Sequence, residues 1–375
     1  MSIIVKEVNN KKLIKNFIDY PNKLYKDNPY YVPSFVDDDL ALFNPKKNPY
    51  LKSCQTVGLL VFEDDKIMGR LFGIIQPLDE LEGHQKRCRF FYLDTANNLL
   101  TFCALFDYLK KWAKDRGCFN LVGPLGFNDT DREGLLIEGF DSRGTFASIY
   151  NYPYYLDLME NYGFHKDIDW LQYRLFLSDT QFLDRLTSIS QRLQETKGFK
   201  FIRFKNTNEV VKKYGYKLFD LINETYSPLY GVVKIEQEII DLLLKKFKLI
   251  VSKELLILVA DKNDQIVAFS ICFPHISKAL QKTKGRLFPF GFIRLLHAIK
   301  HYDVVDLGLM GVSDKYKNMG LNAMMMNELG KGFKRHKVKY LETNLMLENN
   351  EKILSQMGHL PRENHKKNRS YLLDI

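Results

Sequence analysis

Cysteine is scarce in this sequence, and long hydrophobic runs are missing. The five cysteines among 375 residues are scattered and form no Cys-x-x-Cys pair, a pattern that favours reduced thiols over a disulfide framework or a metal site. No apolar run approaches the length of a membrane span, and the first residues lack the basic-then-apolar pattern of a signal peptide. We therefore expect a cytoplasmic protein.

Sequence patterns typical of nucleic-acid-binding proteins are also missing. The net charge of +10 and a pI near 9.1 would suit such a partner. However, the basic residues are spread over both halves, and no helix-turn-helix, zinc-finger or RNP pattern occurs. The apolar fraction of 45% excludes a disordered or collagen-like chain, and the length suits two domains. We expect a globular two-domain protein with no nucleic-acid partner.

The two halves of the sequence resemble each other, which predicts a duplicated α/β unit. We place the boundary near Ser178, giving domains 1–178 and 179–375, each with a twisted mixed sheet flanked by helices. The matched features are β-hairpins at 57–75 and 255–273, helices with basic ends that begin near 104 and 323, helix–glycine endings at Gly163 and Gly358, and final strands near 170–177 and 369–375.

A glycine-containing loop lies between a predicted strand, Val304–Val312, and a helix that begins near Leu321. This arrangement directs several backbone N–H groups and the positive end of a helix dipole to one place, which suits a pyrophosphate. At Gly320 a side chain would block close approach of the backbone to the phosphates. The predicted anion-binding loop consists of Lys317, Asn318, Met319, Gly320, Leu321, Asn322 and Ala323.

This loop resembles the acyl-CoA loop of the GNAT acyltransferase superfamily, whose pattern is Arg/Gln-x-x-Gly-x-Gly/Ala. Here Lys317 stands at the Arg/Gln position and Asn322 replaces the second glycine. The strand order and the closing glycines also resemble the GNAT core, seen twice. The resemblance implies acyl-CoA as donor, strand residues Met310, Gly311 and Val312 beside the pantetheine, and Asn350 (or Asn349) hydrogen-bonded to the pantetheine arm.

The first half has no glycine loop at the matching place, where residues 92–98 stand, so only the second half is expected to bind acyl-CoA. Its candidate for chemistry is the segment 123–141, predicted as a loop rich in glycine and carboxylates. Apolar residues within it imply partial burial, which raises a carboxyl pKa towards that of a useful base. The alternative is a solvated polar connection. The candidate bases are Asp131, Glu133, Glu138 and Asp141, with Asp129 and Asp115 nearby.

Two tyrosines follow this segment in the turn Asn151-Tyr152-Pro153-Tyr154-Tyr155. The turn suits the start of a helix, with Asn151 near the N-cap. GNAT enzymes use tyrosines at this place as general acids beside the thioester sulfur or as walls of the site. The resemblance therefore makes Tyr154 and Tyr155 candidates for catalysis, and simple packing is the alternative.

Residues 28–51, the Gly-Pro-x-x-Phe and Gly-Leu-Leu-x-x-Gly-Phe-Asp runs of 123–141, and the tyrosine turn together resemble a branch of bacterial tandem GNAT proteins. Some members are thought to be fatty acyltransferases that act on the amine of a sphingoid base and make ceramide. The resemblance implies an N-acyltransferase with a long-chain amine as acceptor. A non-catalytic acyl-CoA- or lipid-binding protein is one alternative, favoured by Asn322 and by a missing C-terminal tyrosine. A Fem-type transferase, which uses aminoacyl-tRNA, is another, but its long helical insertion is not visible.

Acidic residues are absent between Asp264 and Asp303, where an aromatic run, 287–293, leads into a basic amphipathic helix. This pattern predicts either peripheral contact with the inner face of an anionic membrane or docking of an acidic acyl carrier protein, through residues 278–301. A core helix with a solvated basic side is the alternative. His297 and His301 have a spacing that metals use, but no carboxylate or cysteine is close in sequence, so we expect no metal.

Overall fold

A computed structural model describes residues 2–375 except 78, 80–82, 84, 129, 178–179, 228–233 and 350–359. The elements of the first half are β1 (Ile3–Glu7), α1 (Lys11–Leu24), α2 (Val36–Ala41), β2 (Gln55–Glu63), β3 (Lys66–Ile75), β4 (Arg87–Thr95), α3 (Leu99–Lys114), β5 (Asn120–Gly123), β6 (Leu135–Glu138), α4 (Tyr155–Tyr162) and β7 (His165–Leu175).

The second half repeats this order closely and confirms the predicted α/β class. Its elements are α5 (Thr180–Lys197), β8 (Lys200–Phe201), α6 (Thr207–Tyr226), α7 (Gln237–Ile250), β9 (Leu256–Ala260), β10 (Ile266–Pro274), α8 (Ser277–Thr283), α9 (Gly291–Lys300), β11 (Val304–Val312), α10 (Leu321–Arg335), β12 (Tyr340–Glu342), β13 (Met346–Leu347) and β14 (Arg362–Asp374).

Both predicted hairpins form, and local chemistry explains why. β2 and β3 are joined by Asp64 and Asp65, both at positive φ (44° and 67°), as a two-residue hairpin turn requires. Aspartate tolerates this conformation because its short side chain can hydrogen-bond locally. In the second hairpin, between β9 and β10, Asp264 has a φ of 62°. The turn residues therefore fix the register between the two strands of each hairpin, which places the side chains of directly paired residues on the same face of the sheet.

The two halves exchange their last strands, which the sequence did not predict. β7, from the first half, pairs with β12 and β13 of the second half. β14, from the second half, pairs with β5 and β6 of the first, and β7 and β14 pair with each other along most of their length. All fourteen described strands consequently form one sheet. The two-domain boundary near 178–179 lies outside the described residues and stays a prediction.

A buried carboxylate holds the exchanged strands together. Asp169 on β7 accepts hydrogen bonds from Arg369 on β14, at 2.7 and 3.0 Å, and forms ion pairs with Lys367 at 3.0 Å and Lys166 at 3.2 Å. Burial alone would raise the pKa of Asp169, but the hydrogen bonds from these three cations outweigh it and lower the pKa to about 2. Asp169 therefore stays ionised, and bound to three cations, in mild acid.

This pKa predicts an acid-sensitive contribution to stability. An unfolded aspartate has a pKa of about 3.9, so Asp169 stabilises the fold fully above that pH, and its contribution of about 2.5 kcal/mol is lost as the pH falls from about 4 to about 2. Asp169→Asn should therefore flatten this part of the stability–pH curve. Urea unfolding at several pH values would measure it, with the exposed Asp65→Asn as control. Parallel curves for wild type and Asp169→Asn would contradict the assignment.

The hydrophobic core lies on both faces of the sheet. One cluster packs α3 and α4 against the first-half strands, and another packs α10 against the second-half strands. A third cluster packs α6 and α7 on β9 and β10, at the other face of the second half. In the described ranges no helix combines the length and apolarity needed to cross a membrane. The helix α6 packs on β10 and β11, and α10 begins after the loop that follows β11, so both helices lie beside the strand end where the candidate site lies.

Candidate functional site

The neighbouring parallel strands β11 and β12 separate after only three residues. They pair from Val304 to Asp306, opposite Tyr340 to Glu342, whereas the other edge of β11 stays paired with β10 as far as Val312. From Leu307 onwards, β11 has no strand partner on the β12 side among the described residues. The strands thus form a V-shaped opening, in which one edge of β11 offers its backbone groups.

Tyr226 identifies which backbone groups of β11 face this opening. The Met310 N–H donates to the Tyr226 hydroxyl at 3.0 Å, and the hydroxyl lies 3.2 Å from the Met310 carbonyl oxygen. Backbone groups alternate in direction along a strand, so those of Val312 share this direction. Those of Gly311, which lies opposite Phe269 in the β10 register, point towards β10. Met310, and not Gly311, is therefore positioned to donate a hydrogen bond into the opening.

The N-terminus of α10 lies at the end of the same strand–loop unit. Its N-cap is Gly320, with a φ of 88°, which has no side chain to cap the first turn. The matching helix of the first half, α3, is capped by Asn98, whose side chain accepts from the Thr101 N–H at 3.2 Å. A capped N-terminus has fewer N–H groups for an anion than an uncapped one. This difference supports the prediction that the second half binds the phosphates.

Lys317, the residue at the usual Arg/Gln position, forms an ion pair with Asp314 within the loop. Its side chain is about half exposed, and Asn318 beside it has a φ of 63°. The Asp314 N–H in turn donates to Glu224 of α6 at 2.9 Å. The loop is thus tied to a neighbouring helix and holds one lysine at the mouth of the opening.

A cleft of about 1970 Å³ runs between the two halves and past this opening. It brings together most of the predicted donor-binding residues. Met319 is exposed and lies outside the cleft lining, and Asn350 lies outside the described residues. Those that line the cleft are Met310, Gly311, Val312, Lys317, Asn318, Gly320, Leu321, Asn322 and Ala323.

Two of the predicted carboxylates, Asp131 and Glu133, line the same cleft. Asp131 accepts a hydrogen bond from the Phe127 N–H at 2.8 Å. Burial raises the pKa of Asp131, and the nearby Asp38 adds to the rise, while Lys246 and the backbone hydrogen bonds oppose it. A carboxylate with a raised pKa holds a proton more readily, so Asp131 has the character of a general base.

The structure does not bring the other candidate carboxylates to the cleft. Glu138 is exposed on β6, at 4.0 Å from Lys367, and Asp141 borders a smaller pocket of about 560 Å³. Asp115 is exposed and pairs with Lys111, and Asp129 lies outside the described residues. The expectation of a loop throughout 123–141 is also wrong, since β6 pairs with β14, and this pairing is what buries Leu135 and Leu136.

Tyr154 and Tyr155 also lie away from the cleft, at the end of β4 in the first half. The Thr95 N–H donates to the Tyr155 hydroxyl at 2.6 Å, and the Tyr154 hydroxyl donates to the Thr95 carbonyl at 2.7 Å. Thr95 is the last residue of β4, the strand of the first half that corresponds to β11. The two phenols therefore fill the position that corresponds to the opening beside β11. Asn151 does not cap the helix as expected. Its side chain instead bonds both backbone groups of Leu136.

A buried polar cluster on the cleft wall escaped the sequence analysis. Asp39 accepts hydrogen bonds from the Ser34 hydroxyl at 2.7 Å and from the Tyr92 hydroxyl at 2.8 Å. Beside it, Arg70 pairs with Asp94 at 2.7 Å. Burial raises the pKa of Asp39 even though Arg70 opposes the rise. The one available signal was the run of three aspartates at 37–39, which reads equally well as the acidic first turn of a helix.

An apolar wall also lines the cleft. It comes from α6, α7 and the residues between these two helices, and the same side chains belong to, or pack against, the core cluster on β9 and β10. Such a wall suits a hydrocarbon chain, because burying apolar surface of a ligand is favourable. The wall includes Phe219, Ile222, Ile235, Ile239, Leu243, Phe247 and Ile250.

Among the described residues, no group of three histidine, cysteine, aspartate or glutamate side chains is arranged to hold a metal ion. His297 on α9 and His301, just after its end, have ring centroids 4.6 Å apart, and both are exposed.

Comparison with known proteins supports the architecture. No protein-family model matches the chain. Protein YghO of Escherichia coli (strain K12) is 26% identical over 378 residues, which cover 98% of this chain and 94% of that protein. A bacterial ceramide synthase of Caulobacter vibrioides (strain NA1000 / CB15N) is 23% identical over 323 residues, which cover 83% of this chain and 81% of that protein.

Among solved structures, a tandem GNAT protein from the clavulanic acid biosynthesis pathway, without AcCoA, has a TM-score of 0.57 at 10% identity. The match covers 100% of this chain and 98% of that one. The chain therefore has the tandem GNAT fold, and the resemblance to this superfamily that the sequence indicated is confirmed at the level of the fold.

Proposed function

We propose that this protein is an acyl-CoA-dependent N-acyltransferase that transfers a fatty acyl group to a long-chain amine. One observation carries the proposal: a single cleft contains the α10 N-terminus, the open edge of β11, the half-buried Asp131 and a large apolar wall. The first two features suit a phosphate-bearing thioester, the third suits removal of a proton, and the fourth suits hydrocarbon. The tandem GNAT fold supports the same class of reaction.

On the donor side, the first-turn N–H groups of α10 would bind the pyrophosphate, and Lys317 would add a positive charge at the mouth. The open edge of β11 would align the pantetheine arm through Val312 and Met310. A thioester carbonyl that accepts from the Met310 N–H would compete with the Tyr226 hydroxyl, which now accepts from it at 3.0 Å. Such a hydrogen bond stabilises the oxyanion that develops as the carbonyl is attacked.

On the acceptor side, Asp131 would remove a proton from the ammonium group, which frees the nitrogen lone pair. The nitrogen then attacks the thioester carbonyl, the C–N bond forms and the C–S bond breaks. The thiolate leaves and takes up the second proton, which the nitrogen loses as the amide forms. Bringing both reactants into one cleft supplies much of the rate gain. Glu133 lines the same cleft and is the second candidate for the base.

The apolar wall supports a long-chain acceptor or donor. The name of the Caulobacter relative, bacterial ceramide synthase, agrees with a long-chain amine as acceptor, although the identity is only 23%. Residues 278–301 would then provide contact with the membrane or with an acyl carrier protein that delivers the lipid substrate.

Calorimetric titration of the wild-type protein with CoA, acetyl-CoA and octanoyl-CoA tests the donor assignment. If the chain enters the apolar part of the cleft, each buried methylene adds about 0.8 kcal/mol. We therefore expect octanoyl-CoA to bind at least about tenfold more tightly than acetyl-CoA. No binding of any of the three would contradict the proposal, and equal affinities would remove its fatty acyl part.

The alternative of a non-catalytic acyl-CoA-binding protein is favoured by one specific observation, the presence of Asn322 where the pattern has glycine or alanine. Asn322 lines the cleft at the start of α10. Binding without turnover in every amine tested would favour this alternative.

A further inference from the structure

Large apolar side chains are exposed together on the segment that contains α9. Phe288 and Phe290, in the loop before the helix, are 75% and 73% exposed. Phe292, Ile293 and Leu296 on the helix are also exposed, and the rings of Phe288 and Phe292 lie 6.1 Å apart. Leaving such side chains in water is costly, and a contiguous exposed apolar patch marks an interaction surface. The patch therefore needs a partner.

The charge around the patch is of one sign. No acidic residue lies between Asp264 and Asp303 in the sequence. Of the six basic side chains in this stretch, Arg286 pairs with Asp19 at 2.6 Å. The other five take part in no ion pair within the described ranges: Lys278, Lys282, Lys284, Arg294 and Lys300. The charge thus complements an anionic partner.

The inner side of the same segment belongs to the cleft. Leu287 and Leu295 line the cleft, and Leu295 is buried in a small core with Leu280. Helical periodicity explains this arrangement, since Ile293, which is 54% exposed, lies about 200° around the helix from the buried Leu295. The segment therefore separates an exposed apolar patch from the candidate site by the thickness of one helix.

We propose that this surface, formed by residues 278–300, docks on an anionic lipid bilayer, with Phe288 and Phe290 inserted at the interface. Basic residues that flank exposed aromatics are the pattern of an interfacial segment. The extent of the apolar patch favours a bilayer over an acidic carrier protein, because ion pairs with a carrier protein would leave the five apolar side chains exposed to water. Docking places the cleft beside the membrane, and the further step, entry of a membrane-resident amine into the cleft, rests on the proposed function.

Vesicle flotation of the full chain tests this surface. The probes are vesicles of phosphatidylglycerol and phosphatidylethanolamine in equal parts, and vesicles of phosphatidylcholine alone. We expect at least tenfold stronger binding to the anionic vesicles, weakened by 0.5 M salt, and a loss of at least tenfold in Phe288→Ser/Phe290→Ser. The matched control is Leu100→Ser/Phe119→Ser, because these side chains are 66% and 58% exposed outside the patch. The control should bind like wild type.

Three results would overturn the proposal: no flotation of the wild type, equal flotation of the Phe288/Phe290 variant, or binding to an acidic acyl carrier protein without binding to vesicles. The test is separable from that of the proposed function. Flotation without any affinity for acyl-CoA leaves the docking surface in place and removes the enzymatic role. The variant should also keep the wild-type affinity for CoA, which shows that it is folded.

Discussion

Gly320→Glu is expected to lower the affinity for CoA at least about 100-fold, the loss of roughly 3 kcal/mol. Two effects act together at this position. The φ of 88° disfavours any side chain, and the new carboxylate would compete with the pyrophosphate for the helix N-terminus. Calorimetric titration with CoA measures the change.

Two control variants separate charge from backbone strain. Gly320→Ala carries the strain without the charge and should weaken binding by only about tenfold, since positive φ costs roughly 1–2 kcal/mol. Gly163→Ala places the same strain at the end of α4, where φ is 100°, and should leave the affinity for CoA unchanged. If Gly320→Glu had the same affinity for CoA as the wild type, the pyrophosphate would have to bind elsewhere.

Asp131→Asn is expected to reduce turnover about 10²- to 10³-fold, the contribution of a general base, with the affinity for acyl-CoA unchanged. An asparagine oxygen can still accept the hydrogen bond from the Phe127 N–H, so the loop should keep its structure. Because burial raises the pKa of Asp131, wild-type turnover should rise with pH through a value above that of an ordinary aspartate. Asp131→Asn should lose this rise, because asparagine has no carboxyl group that ionises.

Glu138→Gln and Asp141→Asn are the matched controls, since both carboxylates belong to the same segment but do not line the cleft. Each should retain turnover within about twofold of wild type. A large loss in either control, or full activity of Asp131→Asn, would move the base to another residue. Glu133 and the buried Asp39 would then be tested in that order.

Local features of the structure were predictable from the sequence because their causes are local. The hairpin turns depend on aspartates that tolerate positive φ, and the boundaries of β11 and α10 follow from an apolar run and from Gly320. The loop 317–323 was recognisable for the same reason. Each of these signals lies within a few neighbouring residues.

The remaining features depend on contacts between distant parts of the chain. The exchange of β7 and β14 joins residues about 200 positions apart, and no short-range sequence pattern shows that these two strands are neighbours. The separation of Asp131 from Glu138 likewise depends on β6 joining β14. Asp39 accepts a hydrogen bond from Tyr92, whose backbone has a φ of 48°. Sequence patterns do not predict this left-handed conformation for a tyrosine. Periodicity also does not tell which face of α6 or α7 lines the cleft.

Formation of an amide from an acyl-CoA and a long-chain amine tests the central claim most directly. The purified wild-type chain would be incubated with octanoyl-CoA or a longer acyl-CoA and sphinganine, with mass spectrometry for the product and a thiol assay for free CoA. The account predicts one N-acyl amide for each CoA released, reduced at least 100-fold in Asp131→Asn. Release of CoA without amide, or no turnover despite tight binding of both substrates, would contradict it.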